Sequence, residues 1–369
     1  MMKPALTIGI PSKGRLQENA FAFFSRAGLN IVQPRGARDY RGTVKGIDGI
    51  EIAFLSASEI AGELARGAVH FGVTGADLIH ESLADPASKI EMLAPLGFGY
   101  ANVVVAVPEA WIDVHEMADI EEVAADFRHK QARRLRVATK YVNLTRRFFK
   151  KHGIADYRIV ESLGATEGAP AAGTADIVVD ITTTGSTLAA NALKVLDDGT
   201  MLKSEANLVA SLHADWSDEA REMARLVLAR IHAEEEAREK RELRAYLGKP
   251  LDEVFLASLA AEDAEILISE EKRLVLLVGK AAVAAISDRL VAKGATRVLV
   301  NAPDYAFGAE NPLNDRLVEA LAARAPAHLA RRHGQRDPPR LSEIAQAFDG
   351  ASTTENRFSA PIRISIRRS

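Results

Sequence analysis

Short apolar runs alternate with segments of helical periodicity from residue 5 to residue 215. The runs have the length of buried strands, and the segments between them repeat apolar residues every three to four positions. Strands are predicted at 6–10, 50–55, 70–73, 103–107, 135–138, 157–160 and 177–180. Helices are predicted at 16–27, 59–66, 144–152 and 188–196. Strands that alternate with helices predict an α/β protein whose parallel sheets are covered on both faces.

The pattern changes after residue 215. A long charged helix is predicted at 217–248, with one apolar stripe and a mostly solvated stretch at 234–244. A small α+β pattern follows, with strands at 266–269, 274–278 and 297–301 and helices at 281–292 and 313–324. The segment 326–369 has eight arginines and no lysine, and we predict a poorly ordered tail there.

Polar loops follow several of the predicted strands. Because ligands in α/β sheets bind at the carboxyl ends of strands, these loops are candidates for one common site. Singly, each cation among them is best explained as a solvated loop residue, but together they favour a polyanionic substrate. The loop residues are Lys13, Gly14 and Arg15, then Thr74, Gly75 and Asp77, then Thr139, Lys140 and Tyr141, and finally Thr184, Gly185, Ser186 and Thr187.

The loop after the strand 177–180 is the most informative of these. It reads Thr-Gly-Ser-Thr at 184–187, directly before a predicted helix, and hydroxyls with backbone N–H groups at such a point can hold a phosphate. Asp180 lies just upstream, where its charge would repel a phosphate but would suit sugar hydroxyls or Mg²⁺. The stretch therefore predicts a ligand with a ribose beside a 5′-phosphate.

The whole stretch from Glu167 to Leu188 resembles the signature segment of the ATP phosphoribosyltransferase family. Further segments at 9–16, 96–99, 137–141 and 143–146 are similar to other blocks of that family, in order, so the resemblance spans residues 5–212. It implies transfer of phosphoribose from phosphoribosyl pyrophosphate (PRPP) to N1 of ATP, with release of pyrophosphate. This reaction is the first step of histidine biosynthesis.

The resemblance also implies an architecture. The catalytic core would be two α/β lobes of the periplasmic-binding-protein type (type II), followed by a small α+β ferredoxin-like domain. Lobe I would comprise 1–102 with 189–215 and lobe II 103–188, with crossings near Tyr100 and Ala190. Residues 216–325 would form the long helix and a regulatory domain. The implied partners are ATP and PRPP, a homo-oligomer (dimer or hexamer), and either histidine as effector or a regulatory partner subunit.

Roles for individual residues follow from the resemblance. Thr184, Gly185, Ser186 and Thr187 would hold the 5-phosphate, and Thr183 would also contact PRPP. Asp180 would face the ribose hydroxyls or Mg²⁺, the implied cofactor, which the substrate mainly holds, and the catalytic residues would be Asp180, Lys13 and Arg15. Lys13, Gly14 and Arg15 would meet the pyrophosphate or triphosphate. Second-rank candidates are Thr74, Gly75, Asp77 and Glu167, and Asp77 could instead cap a helix.

The chain departs from the family pattern after the second strand. An arginine expected there is replaced by Ser56, so Ser56 is not given an anion-binding role. Arg38, Arg41 or Lys45 would have to substitute, or the substrate contact would shift. An arginine is likewise missing after Gly99.

Composition removes several other classes of function. The 369 residues carry a formal net charge of −3, which gives no basic field for nucleic acid. Cysteine is absent, which excludes thiol catalysis and cysteine-bound zinc. No signal peptide or bilayer-length apolar run is present, so we expect a cytoplasmic protein without membrane contact. A non-catalytic binding or regulatory protein with the same two-lobe fold remains the alternative.

Overall fold

The computed structural model describes residues 4–33, 40–162, 164–262 and 264–324. These residues form three β-sheets of seven, five and four strands, and helices pack against them. Separate apolar cores lie against the three sheets. The predicted mixed α/β class is therefore confirmed. In this described part of the chain, no helix combines the length and the apolar character needed to cross a bilayer.

The first sheet is built around β1 (Leu6–Pro11), whose six residues are all buried. β1 pairs in parallel with β4 (Ile47–Leu55) and with β5 (Phe71–Gly75). The other strands are β2 (Ile31–Val32), β3 (Arg41–Val44), β6 (Ile90–Pro95) and β12 (Ala206–Ser211), in the order β2-β3-β4-β1-β5-β12-β6. Each of the three parallel strands is followed by a helix, with at most two residues between them. The helices are α1 (Gly14–Arg26), α2 (Ala57–Arg66) and α3 (Ala76–Ser82).

The second sheet has the order β11-β7-β10-β8-β9. Its strands are β7 (Ala101–Pro108), β8 (Leu135–Thr139), β9 (Tyr157–Glu161), β10 (Ile177–Thr182) and β11 (Leu193–Ser204). Its helices are α4 (Met117–Gln131), α5 (Val142–Lys151) and α6 (Ser186–Ala190). β8 is parallel to both β9 and β10, so the carboxyl ends of these three strands lie together.

Neither sheet is purely parallel, and that part of the prediction is wrong. β3, β6 and β12 run antiparallel to their neighbours in the first sheet, as do β7 and β11 in the second. The predicted helix 188–196 ends at Ala190, because residues from Leu193 onward pair with β7. Long-range pairing here overrides a local apolar run that is compatible with a helix.

The chain crosses between the two sheets twice. The first crossing, between β6 and β7, includes Tyr100 as predicted. The second lies at Glu205, between β11 and β12, and not near Ala190. Residues 189–215 are therefore divided, since β11 belongs to the second sheet and β12 to the first. The two crossings are bonded to each other, for example from the Ala206 N–H to the Phe98 carbonyl at 2.9 Å.

The C-terminal part begins with α7 (Asp218–Glu239), whose apolar face joins the core of the first sheet. A four-stranded antiparallel sheet follows, in the order β14-β15-β13-β16. Along the chain its elements are β13 (Lys240–Leu247), α8 (Glu253–Ala260), β14 (Ala264–Ser269), β15 (Arg273–Gly279), α9 (Val283–Ala292) and β16 (Ala295–Asn301). The last described element is α10 (Pro312–Arg324).

Two predictions for this part are wrong. The helix does not continue to residue 248, because Leu243, Ala245 and Leu247 alternate inward as strand β13. The stretch from 234 is not mostly solvated, since Glu234 is 5% exposed and pairs with Arg26 and Arg238. α8 was not predicted. The predicted tail, 326–369, lies outside the described residues.

Candidate functional site

Asp180 lies near the carboxyl end of β10, beside the loop that follows β8. The parallel register pairs Val179 with Thr139, so the next residues, Asp180 and Lys140, are neighbours at one edge. Burial raises the pKa of Asp180, the Ile181 N–H and Lys140 oppose this rise, and Glu167 adds to it. Among the residues that the structure describes, the Asp180 carboxylate accepts one hydrogen bond, from the Ile181 N–H at 2.8 Å. It is thus a partly buried acid with capacity for further donors.

The loop at 183–187 presents hydroxyl groups to solvent. Gly185 has a φ of +79°, which glycine adopts without strain, and its N–H donates to the Thr182 hydroxyl at 2.7 Å. The Thr184 and Ser186 hydroxyls are 3.0 Å apart and exposed, as is Thr187. α6 has only five residues, so its dipole adds little, and the main donors would be the exposed hydroxyls.

Thr183 differs from the other loop residues. Its hydroxyl donates to the carbonyl of Tyr100 at 3.0 Å, which ties the loop to the first crossing between the sheets. The proton of this hydroxyl is therefore already used within the protein. This contact gives Thr183 a role in holding the loop.

Lys13 and Arg15 extend from the carboxyl end of β1. Both are exposed, and neither makes an ion pair with any residue the structure describes. Gly14 between them has a φ of +73° and open space around it. Lys13 also lines a cleft of about 700 Å³ together with Tyr40, Arg41 and Ser56. Two solvated cations and a flexible residue suit a multiply charged phosphate chain.

Ser56 is a helix cap, which explains why it takes no part in anion binding. Its hydroxyl accepts from the Glu59 N–H, and the Glu59 carboxylate accepts from the Ser56 N–H, which completes a capping box at the start of α2. The side chain of each residue is thereby hydrogen-bonded to the backbone N–H of the other.

Among the three candidates to replace the missing arginine, Arg41 lies at the end of the sheet where the candidate ligand-binding loops lie. It pairs with Ala53 near the carboxyl end of β4 and lines the cleft with Lys13. Lys45 lies in the turn between β3 and β4, at the opposite end of that strand. Arg38 lies outside the described residues.

Thr74 and Asp77 point into the protein. Thr74 is fully buried, and its hydroxyl donates to the Ala57 carbonyl at 2.7 Å. Asp77 is 6% exposed and accepts hydrogen bonds from the Tyr141 and Ser204 hydroxyls, both at 2.8 Å. Asp77 does not cap α3, since Gly75 occupies the N-cap position. A Cβ on Gly75 would lie 2.2 Å from the Asp77 carboxylate, so glycine is required there.

Comparison with known proteins shows the family to which the chain belongs. The profile of the ATP phosphoribosyltransferase family matches residues 56–233. An ATP phosphoribosyltransferase of Afipia carboxidovorans is 54% identical over 331 residues, which cover 87% of this chain and 100% of that protein. One from Bradyrhizobium sp. is 55% identical, covering 86% and 98%. The chain belongs to the ATP phosphoribosyltransferase family. Among solved structures, a complex from Thermotoga maritima titled ATP phosphoribosyl transferase (HisG:HisZ) is 24% identical, covers 62% of this chain and 96% of its own, and has a TM-score of 0.48.

Two carboxylates at the site, Asp180 and Glu167, have the donor chemistry that Mg²⁺ binding needs. No group of three histidine, aspartate or glutamate side chains in the described part of the chain could hold a metal alone. Asp180 and Glu167 supply the hard oxygen donors that Mg²⁺ prefers, and the ion commonly takes its other ligands from substrate phosphates and water. This donor set fits an ion brought in with its substrate.

Lys140 and Tyr141 belong to the predicted loops, but no individual role was predicted for either residue. Lys140 lies beside Asp180, and its ammonium nitrogen is 5.0 Å from the centre of the Tyr141 ring. Tyr141 itself is only 1% exposed. Both follow β8, which lies next to β10, and local sequence pattern does not encode which strands are neighbours in a sheet.

Proposed function

We propose that this ATP phosphoribosyltransferase binds PRPP at the carboxyl end of β10 and transfers its phosphoribosyl group to N1 of ATP. The observation that carries the assignment is Asp180 directly ahead of the exposed hydroxyls of the 184–187 loop. The loop would hold the 5-phosphate, and the carboxylate would accept hydrogen bonds from the ribose hydroxyls. Transfer of this group to ATP begins histidine biosynthesis.

The reaction forms one bond and breaks one. The N1 lone pair attacks C1 of the ribose, the C1–O bond to pyrophosphate breaks, and its electron pair leaves with pyrophosphate. Positive charge develops on the ribose ring, where the Asp180 carboxylate stabilises it. Lys13, Arg15 and Lys140 supply positive charge for the phosphate chains, and alignment of the two anions contributes the rest of the rate. No general acid or base is required.

Mg²⁺ on the pyrophosphate would neutralise charge on the leaving group. Asp180 is the residue we propose to contact it, with Glu167 close enough to affect the pKa of Asp180. The protein's part would be to orient the ribose through Asp180. Chelation of Mg²⁺ should then weaken PRPP binding in the wild type more than in Asp180→Asn.

We further propose that the first two sheets form the two lobes of a periplasmic-binding-protein-like (type II) core, with the site between them. The third sheet has the β-α-β-β-α-β order of a ferredoxin-like domain, which supports a regulatory role. Feedback by histidine, a regulatory partner subunit and homo-oligomerisation are part of this proposal. A histidine titration tests the first, and full activity at millimolar histidine would remove it.

Two glycines allow a matched test of the phosphate loop. Gly185 and Gly153 have φ values of +79° and +75°, and a Cβ on either would meet no atom within 4 Å. Alanine should therefore cost similar backbone strain at both positions, about 1 kcal/mol. Only at Gly185 would the new methyl group occupy space that we propose for the phosphate.

The experiment measures binding of Mg²⁺–PRPP by calorimetry. We expect Gly185→Ala to weaken binding at least about tenfold, or 1.4 kcal/mol, and Gly153→Ala to leave it unchanged. Equal affinities in the two variants would contradict the loop assignment. Pyrophosphate release from ATP and PRPP by the purified chain separates the enzyme from a non-catalytic binding protein of the same fold.

A further inference from the structure

Helix α3 of the first sheet contacts the beginning of α5 in the second sheet. The N-cap residue of α5 is Tyr141, and its side chain makes no capping hydrogen bond to the helix. The first N–H groups of a helix have no partner within the helix, so they need acceptors from elsewhere. In this protein the acceptors come from α3.

Glu81 supplies the missing cap. Its carboxylate accepts from the Asn143 N–H at 2.9 and 3.1 Å and from the Leu144 N–H at 2.9 Å. A carboxylate at this position also interacts favourably with the positive end of the helix dipole. The Asn143 side chain donates to the Glu81 carbonyl at 3.0 Å, and Arg147 donates to the carbonyl of His80. The helix start in one sheet is thus completed by a residue from the other.

Asp77 makes a second connection one helical turn earlier on α3. The Tyr141 hydroxyl donates to its carboxylate at 2.8 Å, and the Ser204 hydroxyl donates to the other oxygen at the same distance. Ser204 also accepts from the Asp77 N–H at 3.0 Å. Because Asp77 and Tyr141 are almost fully buried, breaking this contact would leave polar groups without partners in an apolar setting.

The Tyr141 backbone passes this constraint to the site. Its N–H donates to the Thr139 hydroxyl at 2.8 Å, and its carbonyl accepts from the Thr145 hydroxyl at 2.6 Å. Lys140 lies between Thr139 and Tyr141, with its ammonium group near the tyrosine ring and near Asp180. Movement of Tyr141 would therefore move the lysine that accompanies Asp180.

We propose that Glu81 and Tyr141 are positioning residues: they join α3 to α5 as a latch that fixes the angle between the two sheets and holds Lys140 beside Asp180. The roles of Lys140 and Asp180 in this inference rest on the proposed function. The contact between α3 and α5 does not depend on that function. The two sheets therefore do not rock freely about the crossing strands, as two-lobe proteins of this kind are commonly able to do.

Kinetics test the positioning role. Glu81→Ala and Tyr141→Phe should lower kcat between about tenfold and a hundredfold, because small displacements of aligned groups have effects of that size. KM should change less than kcat, and Glu81→Gln, which keeps one acceptor oxygen, should recover part of the rate. Glu121→Ala, on an exposed position of α4, and Tyr246→Phe, on the third sheet, are matched controls that should keep wild-type kcat.

Distances between spin labels test the latch without any activity. The chain contains no cysteine, so Glu18→Cys on α1 and Arg128→Cys on α4 give a single labelled pair across the two sheets. Glu81→Ala in this background should broaden the distance distribution by pulsed electron resonance, and Glu121→Ala should leave it narrow. Loss of stability alone would not broaden distances in the folded protein.

Each outcome decides the proposal. Broadened distances together with lowered kcat support it. An unchanged distribution in Glu81→Ala overturns it, and so does a broadened one with wild-type kcat. Failure of the wild-type chain to release pyrophosphate from ATP and PRPP would instead overturn the proposed function, while the distance measurement would still decide whether the latch exists.

Discussion

Two aspartates, one just before strand β10 and one within it, lie in different environments. Asp176, just before the strand, accepts hydrogen bonds from Arg133 and Arg136, and its side chain is 8% exposed. Asp180, four residues later, accepts one hydrogen bond within the described part of the chain, from the Ile181 N–H. Burial raises the pKa of both carboxyls, but at Asp176 the two arginines outweigh it and lower the pKa to about 2.

The difference separates a structural acid from a functional one. Asp176 has its charge fully compensated inside the protein, so it can contribute stability but has little capacity left for a ligand. Asp180 lies at the carboxyl end of the strand, where α/β proteins bind ligands, and its charge is incompletely compensated. The same substitution at the two positions should therefore affect different properties of the enzyme.

The largest expected effect is on the rate of Asp180→Asn. Loss of a charge that stabilises the transition state should lower kcat/KM by about a hundred- to a thousandfold, measured by pyrophosphate release. Stability at neutral pH should not fall, because burial disfavours the ionised form of Asp180 and asparagine removes that charge. A variant with wild-type kcat/KM would contradict a catalytic role for this carboxylate.

Asp176→Asn should lower stability and leave the rate almost unchanged. The two arginines would lose their buried partner, and the free energy of unfolding should fall by about 2 kcal/mol. Denaturation in urea measures this change, and kcat of the folded enzyme should stay within about twofold of wild type. A large loss of rate with full stability would remove the distinction between the two aspartates.

A smaller effect is expected for Arg41, which we propose in place of the missing family arginine. Arg41→Gln should raise KM for at least one substrate about tenfold, the value of one charge-assisted contact. Lys45→Gln is the matched control, since Lys45 lies at the other end of β4 and should leave KM unchanged. Equal KM values in both variants would indicate that the substrate contact has shifted elsewhere.

The smallest effect is the contribution of Asp176 to stability in acid. Its pKa falls from 3.8 to about 2 on folding, so its contribution is present above pH 3.8 and is lost as the pH falls toward 2. Wild-type stability should therefore decrease across this range more steeply than that of Asp176→Asn. If stability depended on pH in the same way in both proteins, the lowered pKa of Asp176 would be contradicted.

Local pattern predicted the strands β1, β4, β8 and β10 and the loops that end them, because buried strands and the polar residues after them are encoded within a few positions. The pairing of β11 with β7 and the end of α7 at Glu239 were missed, since long-range contacts decide both. Asp77 illustrates the same limit at the site. Its partner Tyr141 is 64 residues away, so the sequence could not show that it is buried in a contact between sheets.

The most direct test is a crystal structure with Mg²⁺ and PRPP bound. We predict the 5-phosphate within about 3 Å of the hydroxyls of Thr184, Ser186 and Thr187, with the ribose hydroxyls on Asp180. A 5-phosphate bound at Lys13 and Arg15, with the 184–187 loop unoccupied, would contradict it.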